Sequence, residues 1–150
     1  MKKIIKLLSI LSLVIILPVA LAAQKGKGGN SNCDQLYDVS TVVTITANIE
    51  NIEHHINESK NVEGVHLIVK TQEEKSISVH LGPVWYIDNQ DLKFGKGDVV
   101  IIKGSKVEYE NKPTIIASEV EKGDFVLRLR DQSGNPAWKG WRKKGKNRVN

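Results

Sequence analysis

The chain has 150 residues, 40% of them hydrophobic and 26% charged, which is enough for one domain and leaves no room for a second sizeable core. With 12 Gly, 4 Pro and one Cys it is not collagen-like, and it lacks the cysteines for an internal disulfide framework or a Cys-cluster zinc site. The net charge of +5 is unevenly placed: every Asp and Glu lies between Asp34 and Asp131, whereas Pro136 to Asn150 holds Lys139, Arg142, Lys143, Lys144, Lys146 and Arg148 and no acid.

Met1-Lys2-Lys3 is a short positive region, Leu7 to Leu17 is an uncharged, largely apolar run, Pro18 breaks it, and Ala20-Leu21-Ala22 has the small-x-small pattern of a cleavage site. Residues 1–22 therefore read as a secretory signal peptide, which places the mature protein outside the cytoplasm, in the periplasm. The rival reading is a retained anchor; a span needs roughly 20 apolar residues, and the Pro-Ala break favours cleavage. Cys33 lies well past the small-residue site, which argues against lipidation. Cleavage removes Lys2, Lys3 and Lys6 and leaves a mature chain of net +2, in which an acidic body, Asp34 to Asn135, ends in a basic tail, 139–150. Such a tail is ordinarily a solvated terminus, or else an electrostatic contact with an acidic surface or a membrane.

Residues 23–36, rich in Gly, Lys, Asn and Ser at the start, read as a flexible leader before a domain spanning 37–138. Runs of Val, Ile and Thr punctuated by turn residues predict strands at 40–53, 64–71, 76–81, 98–109, 114–121 and 124–130. In the last, Phe125, Leu127 and Leu129 are predicted to face in, with Val126, Arg128 and Arg130 facing out. Pro83 to Lys96, with Trp85-Tyr86-Ile87 inside, predicts a short helix between the third and fourth strands. Three strands, a short helix and two or three strands is the order of a mostly β, OB-like, partly open Greek-key barrel of five to six strands. An open sandwich is the competing architecture.

Register makes a sharper statement. Strands two and three form a hairpin, and apolar Val65, Leu67 and Val69 must share a face with Leu81, Val79 and Ile77. With a three-residue loop at Gln72-Glu73-Glu74, the other face pairs Lys70 with Ser76, Ile68 with Ser78, and His66 with His80. Directly opposed residues have Cβ atoms roughly 5 Å apart, so two imidazoles can share a metal, although a stable site wants a third ligand and usually a fourth. The alternative is two surface or hydrogen-bonded histidines. His54 and His55, adjacent in sequence, read as exposed loop residues.

No G-x-S-x-G, H-E-x-x-H, P-loop or G-x-G-x-x-G in a strand-to-helix context is present, which argues against an enzyme. Cys33, in the leader, has no cationic neighbour in sequence to activate it. Strands two and three carry no aromatic on which a base would stack, and the body is acidic, so nucleic acid is disfavoured as a partner. Trp138 and Trp141 read as apolar latches returning the C-terminus to the barrel.

Several segments together resemble a known family: Gly64-Val65-His66-Leu67, Val79-His80-Leu81-Gly82-Pro83-Val84-Trp85-Tyr86, Gly97-Asp98-Val99-Val100, Lys103-Gly104-Ser105, and Leu129-Arg130-Asp131 with Gly134-Asn135-Pro136-Ala137-Trp138. They resemble the exported domain of the magnetosome proteins of S and X type, over about Ser40 to Arg142. The resemblance implies an OB-like exported domain that assists iron-mineral formation through metal handling or protein contacts, and it lends weight to His66, His80, Trp85, Arg130, Asp131 and Trp138. The X-type proteins add C-x-x-C-H haem motifs; this chain has none, so covalent haem is not carried over.

The reading that results is an exported, non-enzymatic OB-like binding module with His66 and His80 as candidate ligands of a divalent metal. Trp85, Tyr86, Arg128, Arg130, Asp131, Trp138 and Trp141 form the candidate ligand or partner surface. The alternative is an adaptor that binds another envelope protein through its Arg/Trp-rich C-terminal end, with the membrane touched only through an uncleaved signal segment or the basic tail.

Overall fold

The computed structural model describes residues 33–57 and 62–140. The signal segment, residues 23–32 of the leader, Trp141 and the rest of the basic tail lie outside the described residues. Six strands form: β1 (Val42–Asn57), β2 (Val62–Thr71), β3 (Ser76–Pro83), β4 (Val99–Tyr109), β5 (Lys112–Lys122) and β6 (Phe125–Arg128), with one short helix, α1 (Val84–Ile87), between β3 and β4. The predicted strands and helix are all present.

β1 is the organising strand. Its first half pairs antiparallel with β4, from Val42 opposite Ser105 to Asn48 opposite Val99, and from Ala47 onward it pairs with β2. A bulge at Ile49/Asn51 lies at that changeover; an extra residue on one strand bends it and increases its twist, which lets a single strand serve two neighbours. β2 pairs with β3, β4 with β5, and β3 returns to β5 in parallel over Ser78–His80 opposite Thr114–Ile116. The sheet thus closes in a ring, β1-β2-β3-β5-β4, with β6 appended to the free part of β5. This mostly β, OB-like ring bears out the predicted fold class.

The interior is filled by alternate residues: Leu67 and Val69 from β2, Val79 and Leu81 from β3, Val100 and Ile102 from β4, Ile115, Ala117 and Val120 from β5. Tyr86 and Ile87 from α1, and Trp138 from beyond the last strand, complete the core. The latch expected of Trp138 is formed: its indole lies over Gly82, where an added Cβ would stand 2.5 Å from the ring.

Three details differ from the sequence expectation. Cys33–Leu36, assigned to the leader, is a 3-10 turn with Cys33 buried, so the packed chain begins before Tyr37. β6 stops at Arg128, and the amides of Leu129 and Arg130 both donate to the Ser118 carbonyl, at 2.8 and 3.1 Å. Two consecutive amides on one acceptor break the strand alternation, so Leu129 and Arg130 are both buried, while Phe125, predicted to face in, is exposed at the edge of the sheet. Finally, His54 and His55 sit in β1, opposite Val65 and Gly64, because the β1–β2 hairpin continues past the ring.

At Gly104 the backbones of β4 and β5 come so close, beside a bulge at Lys103/Gly104, that an added Cβ would collide with the Ile116 carbonyl and lie 2.8 Å from the Ala117 Cα. Gly104→Ala is expected to cost about 1–3 kcal/mol through overpacking. A lower urea midpoint at unchanged slope would show it; an unchanged midpoint would mean that the two strands separate freely there.

Candidate functional site

The hairpin register is as the apolar pattern dictates. Lys70 stands opposite Ser76, Val69 opposite Ile77, Ile68 opposite Ser78, Leu67 opposite Val79 and His66 opposite His80. The next pair slips: Val65 faces Gly82 rather than Leu81, across a bulge between Val65 and His66. The two imidazoles are in direct contact, His66 Nε2 to His80 Nδ1 at 2.9 Å.

They are not surface groups, however. His66 is 4% and His80 6% exposed, covered by the 3-10 turn at Cys33–Leu36 and by His55, whose ring lies 4.4 Å from that of His66. An open cleft of about 560 Å³ runs past them, bounded by Asp34, His55, Gly64, Tyr109, Trp138 and Lys139 among others. Gly64 leaves room for the His80 ring: an added Cβ would stand 3.2 Å from His80 Cε1.

The outer nitrogens of the pair are also engaged. His66 Nδ1 lies 3.0 Å from Ser78 Oγ, and His80 Nε2 lies 3.1 Å from Asp34 Oδ1. Burial works against ionising Asp34, but the hydrogen bond and charge of His80, together with the Arg130 guanidinium, outweigh it and bring the carboxyl down to about 2. Asp34 is therefore an acceptor, and the proton of that bond sits on His80 Nε2. Burial, and then the neighbouring His80 and His55, bring His66 down to about 3, so it is a neutral imidazole at physiological pH.

Arg130 anchors the far end. It is 6% exposed; its Nη2 donates to Asp34 Oδ1, and its Nη1 donates to the carbonyls of Ala117 and, at 3.1 Å, Leu81. The guanidinium carbon lies 4.9 Å from the centre of the Trp138 ring, a stacking that suits a desolvated cation. Beside it, burial and the Asp34 charge push the Cys33 thiol up to about 12, so it is an inert, protonated thiol.

The sequence-selected residues thus separate. His66, His80 and Trp138 meet along one cleft, with Arg130 bound to its Asp34. Tyr86, Arg130 and Trp138 are each buried; alternation on a strand predicts Arg130 outside only if the strand continues, and it ends two residues earlier. Trp85 is 37% exposed, Arg128 is exposed and pairs with Glu119, and Asp131 is exposed, closing a turn onto the amides of Ser133 and Asn135. Sequence reading missed Asp34, Ser78 and His55. Ser78 was legible, since it shares a face with His80 two residues on, whereas nothing in Cys33-Asp34-Gln35-Leu36 signals a partner 96 residues away.

Fold and site together define a small β-ring domain with a polar relay buried along one cleft. The chain belongs to the MamS/MamX magnetosome protein family, whose model matches residues 41–127. No curated protein matches it. The matched span includes His66, Ser78 and His80 and leaves out Asp34, Arg130 and Trp138.

Two outcomes follow from these contacts. An unfolded His66 takes up its proton near pH 6.5 and the folded one only near 3, so the unfolded state binds protons first and stability falls as the pH drops below 6.5. The loss at pH 5 is about 2 kcal/mol, and His66→Gln should lose less than wild type between pH 7.5 and 5.0 in urea unfolding; equal losses would place the acid sensitivity elsewhere. Asp34→Ala, which leaves Arg130 buried without its counter-charge, is expected to cost about 3–5 kcal/mol and to speed maleimide labelling of Cys33. Unchanged labelling would show that the turn holds without the pair.

Proposed function

We propose that the protein is an exported, non-enzymatic binding module that handles a metal ion in the cleft beside β2 and β3, with His66 and His80 as the ligands from this chain. The observation that carries the reading is the convergence of two imidazole nitrogens, 2.9 Å apart, from neighbouring strands, one ring being held neutral and so able to offer a lone pair at physiological pH. Family membership is compatible with it, since the resemblance implies a role in iron-mineral formation through metal handling or protein contacts. The alternative, an adaptor binding another envelope protein through the Arg/Trp-rich C-terminal end, would rest on the exposed Arg128 and Asp131 and the basic tail, since Arg130 and Trp138 are 6% exposed.

Among the described residues no group of three or more His, Cys, Asp or Glu is arranged to hold a metal ion. An ion taken here is thus held by few protein ligands and exchanged readily, which suits transfer rather than storage. Titration of tag-free protein with zinc, copper and ferrous iron, followed by calorimetry, is expected to show saturable binding that His66→Ala and His80→Ala each abolish while the far-ultraviolet circular dichroism is kept. Absence of binding, or binding that neither substitution weakens, would overturn the reading.

A further inference from the structure

We propose that the free edge of β6 is a homodimer interface, at which two copies of this chain pair antiparallel about a two-fold axis through Val126. The interface uses none of the residues that line the cleft, and so it stands apart from the metal reading.

β6 leaves one row of its backbone groups unpaired. Gly123-Asp124 is a two-residue turn, with Gly123 in the left-handed region at φ 57°, so Lys122 and Phe125 form the hydrogen-bonded pair that closes the hairpin. In an antiparallel ladder such pairs recur at every second residue. The next are Val120 with Leu127 and then Ser118 with Leu129, whose amide does donate to the Ser118 carbonyl. The amides and carbonyls of Val126 and Arg128 therefore point away from β5. β6 is the last strand of the sheet, and it carries no proline, lysine or bulge of the kind that blunts an open edge.

The side chains at this edge are apolar where solvent favours polar ones. Phe125 is 66% and Val126 49% exposed. Val126 stands opposite Glu121, and Glu121 opposite Ile101, so Val126 and Ile101 share the outer face of the sheet with Val99, two residues before Ile101. Of the large hydrophobics that the described residues expose, these four lie at one corner, while Val39, Ile56 and Trp85 stand apart from them in sequence. Single exposed apolar residues are ordinary; a contiguous group marks a contact surface.

Self-complementarity selects a second copy as the occupant. In Asp124-Phe125-Val126-Leu127-Arg128 an acid and a base flank three apolar residues at equal distances from Val126. With the axis at Val126, that residue meets the partner's Val126, Phe125 meets the partner's Leu127 and Asp124 meets the partner's Arg128, each of the last two contacts occurring twice by symmetry. Both charges are available. Asp124 is exposed and has no ion-pair partner among the described residues; Arg128, also exposed, meets Glu119 through Nε, which leaves its two Nη groups for a second carboxylate. The neighbouring registers fit less well. Centred on Leu127, the pairing sets Arg128 on the partner's Val126; centred on Phe125, it sets Asp124 there. A two-fold pairing uses up both edges and so stops at two copies.

The test is sedimentation velocity of tag-free protein from about 1 to 500 µM, in EDTA so that no metal bridges two copies. A monomer–dimer equilibrium with a Kd of about 10–100 µM is expected, as a small interface gives. Val126→Lys, which sets two like charges face to face on the axis, should weaken it about 10-fold or more. Asp124→Lys and Arg128→Glu should each be monomeric alone and associate when mixed one to one, because each then offers the charges that the other lacks. All three positions are exposed, so the far-ultraviolet circular dichroism should be kept. A protein that stays monomeric over the whole range, a dimer that Val126→Lys leaves intact, or folded charge variants that fail to associate when mixed would each overturn the proposal.

Discussion

The buried guanidinium of Arg130 is the interaction on which the rest of this structure depends. β3 and β5 run parallel, and their ladder covers only Ser78–His80 and Thr114–Ile116. Just beyond it the carbonyls of Leu81 and Ala117 would face a gap in the ring, and Arg130 Nη1 donates to both. A planar group with five donors in fixed directions closes such a gap where an ammonium would not. The same guanidinium holds Asp34 on its other side and lies against Trp138, so the ring, the N-terminal turn and the C-terminal latch are fixed at one point. Its Nε is the exception: buried, with no hydrogen-bond partner among the described residues.

That arrangement explains why the candidate site is so strongly perturbed. His66 and His80 are placed on a strand face that composition alone would assign to solvent, and the turn at Cys33–Leu36 converts that face to interior. Desolvation then makes His66 neutral, and the charge that His80 meets is the one carboxylate that Arg130 holds in place. Burying an Asp–Arg pair is costly unless the remaining donors and acceptors are satisfied, and here the carbonyls of two strands and an imidazole share that task.

The fold was legible in the sequence because alternation of Val, Ile and Thr is a local signal, and because only one register lets Val69, Leu67 and their partners on β3 share a face. The opposition of His66 and His80 follows from the same rule. Their burial does not, since it depends on the Cys33–Leu36 turn, 30 residues or more away in sequence, whose Gly- and Asn-rich approach reads as a linker. Arg130 was misplaced for a related reason: alternation assigns faces only while a strand lasts, and the doubled hydrogen bond at Ser118 O ends it. Val65 lost its expected partner to a bulge, the kind of one-residue irregularity that no apolar pattern reports.

The contact between Asp34 and Arg130 spans 96 residues of chain. A ribosome delivers Asp34 early and Arg130 late, so the β1–β2 and β2–β3 hairpins, whose contacts are local, have every opportunity to form before the ring can be locked. Until then the turn at Cys33–Leu36 lacks its Arg130 anchor, and with it the hold on the cover of His66 and His80. The relay is thus an emergent property of the completed chain, and the histidines become unusual only when its two ends have met.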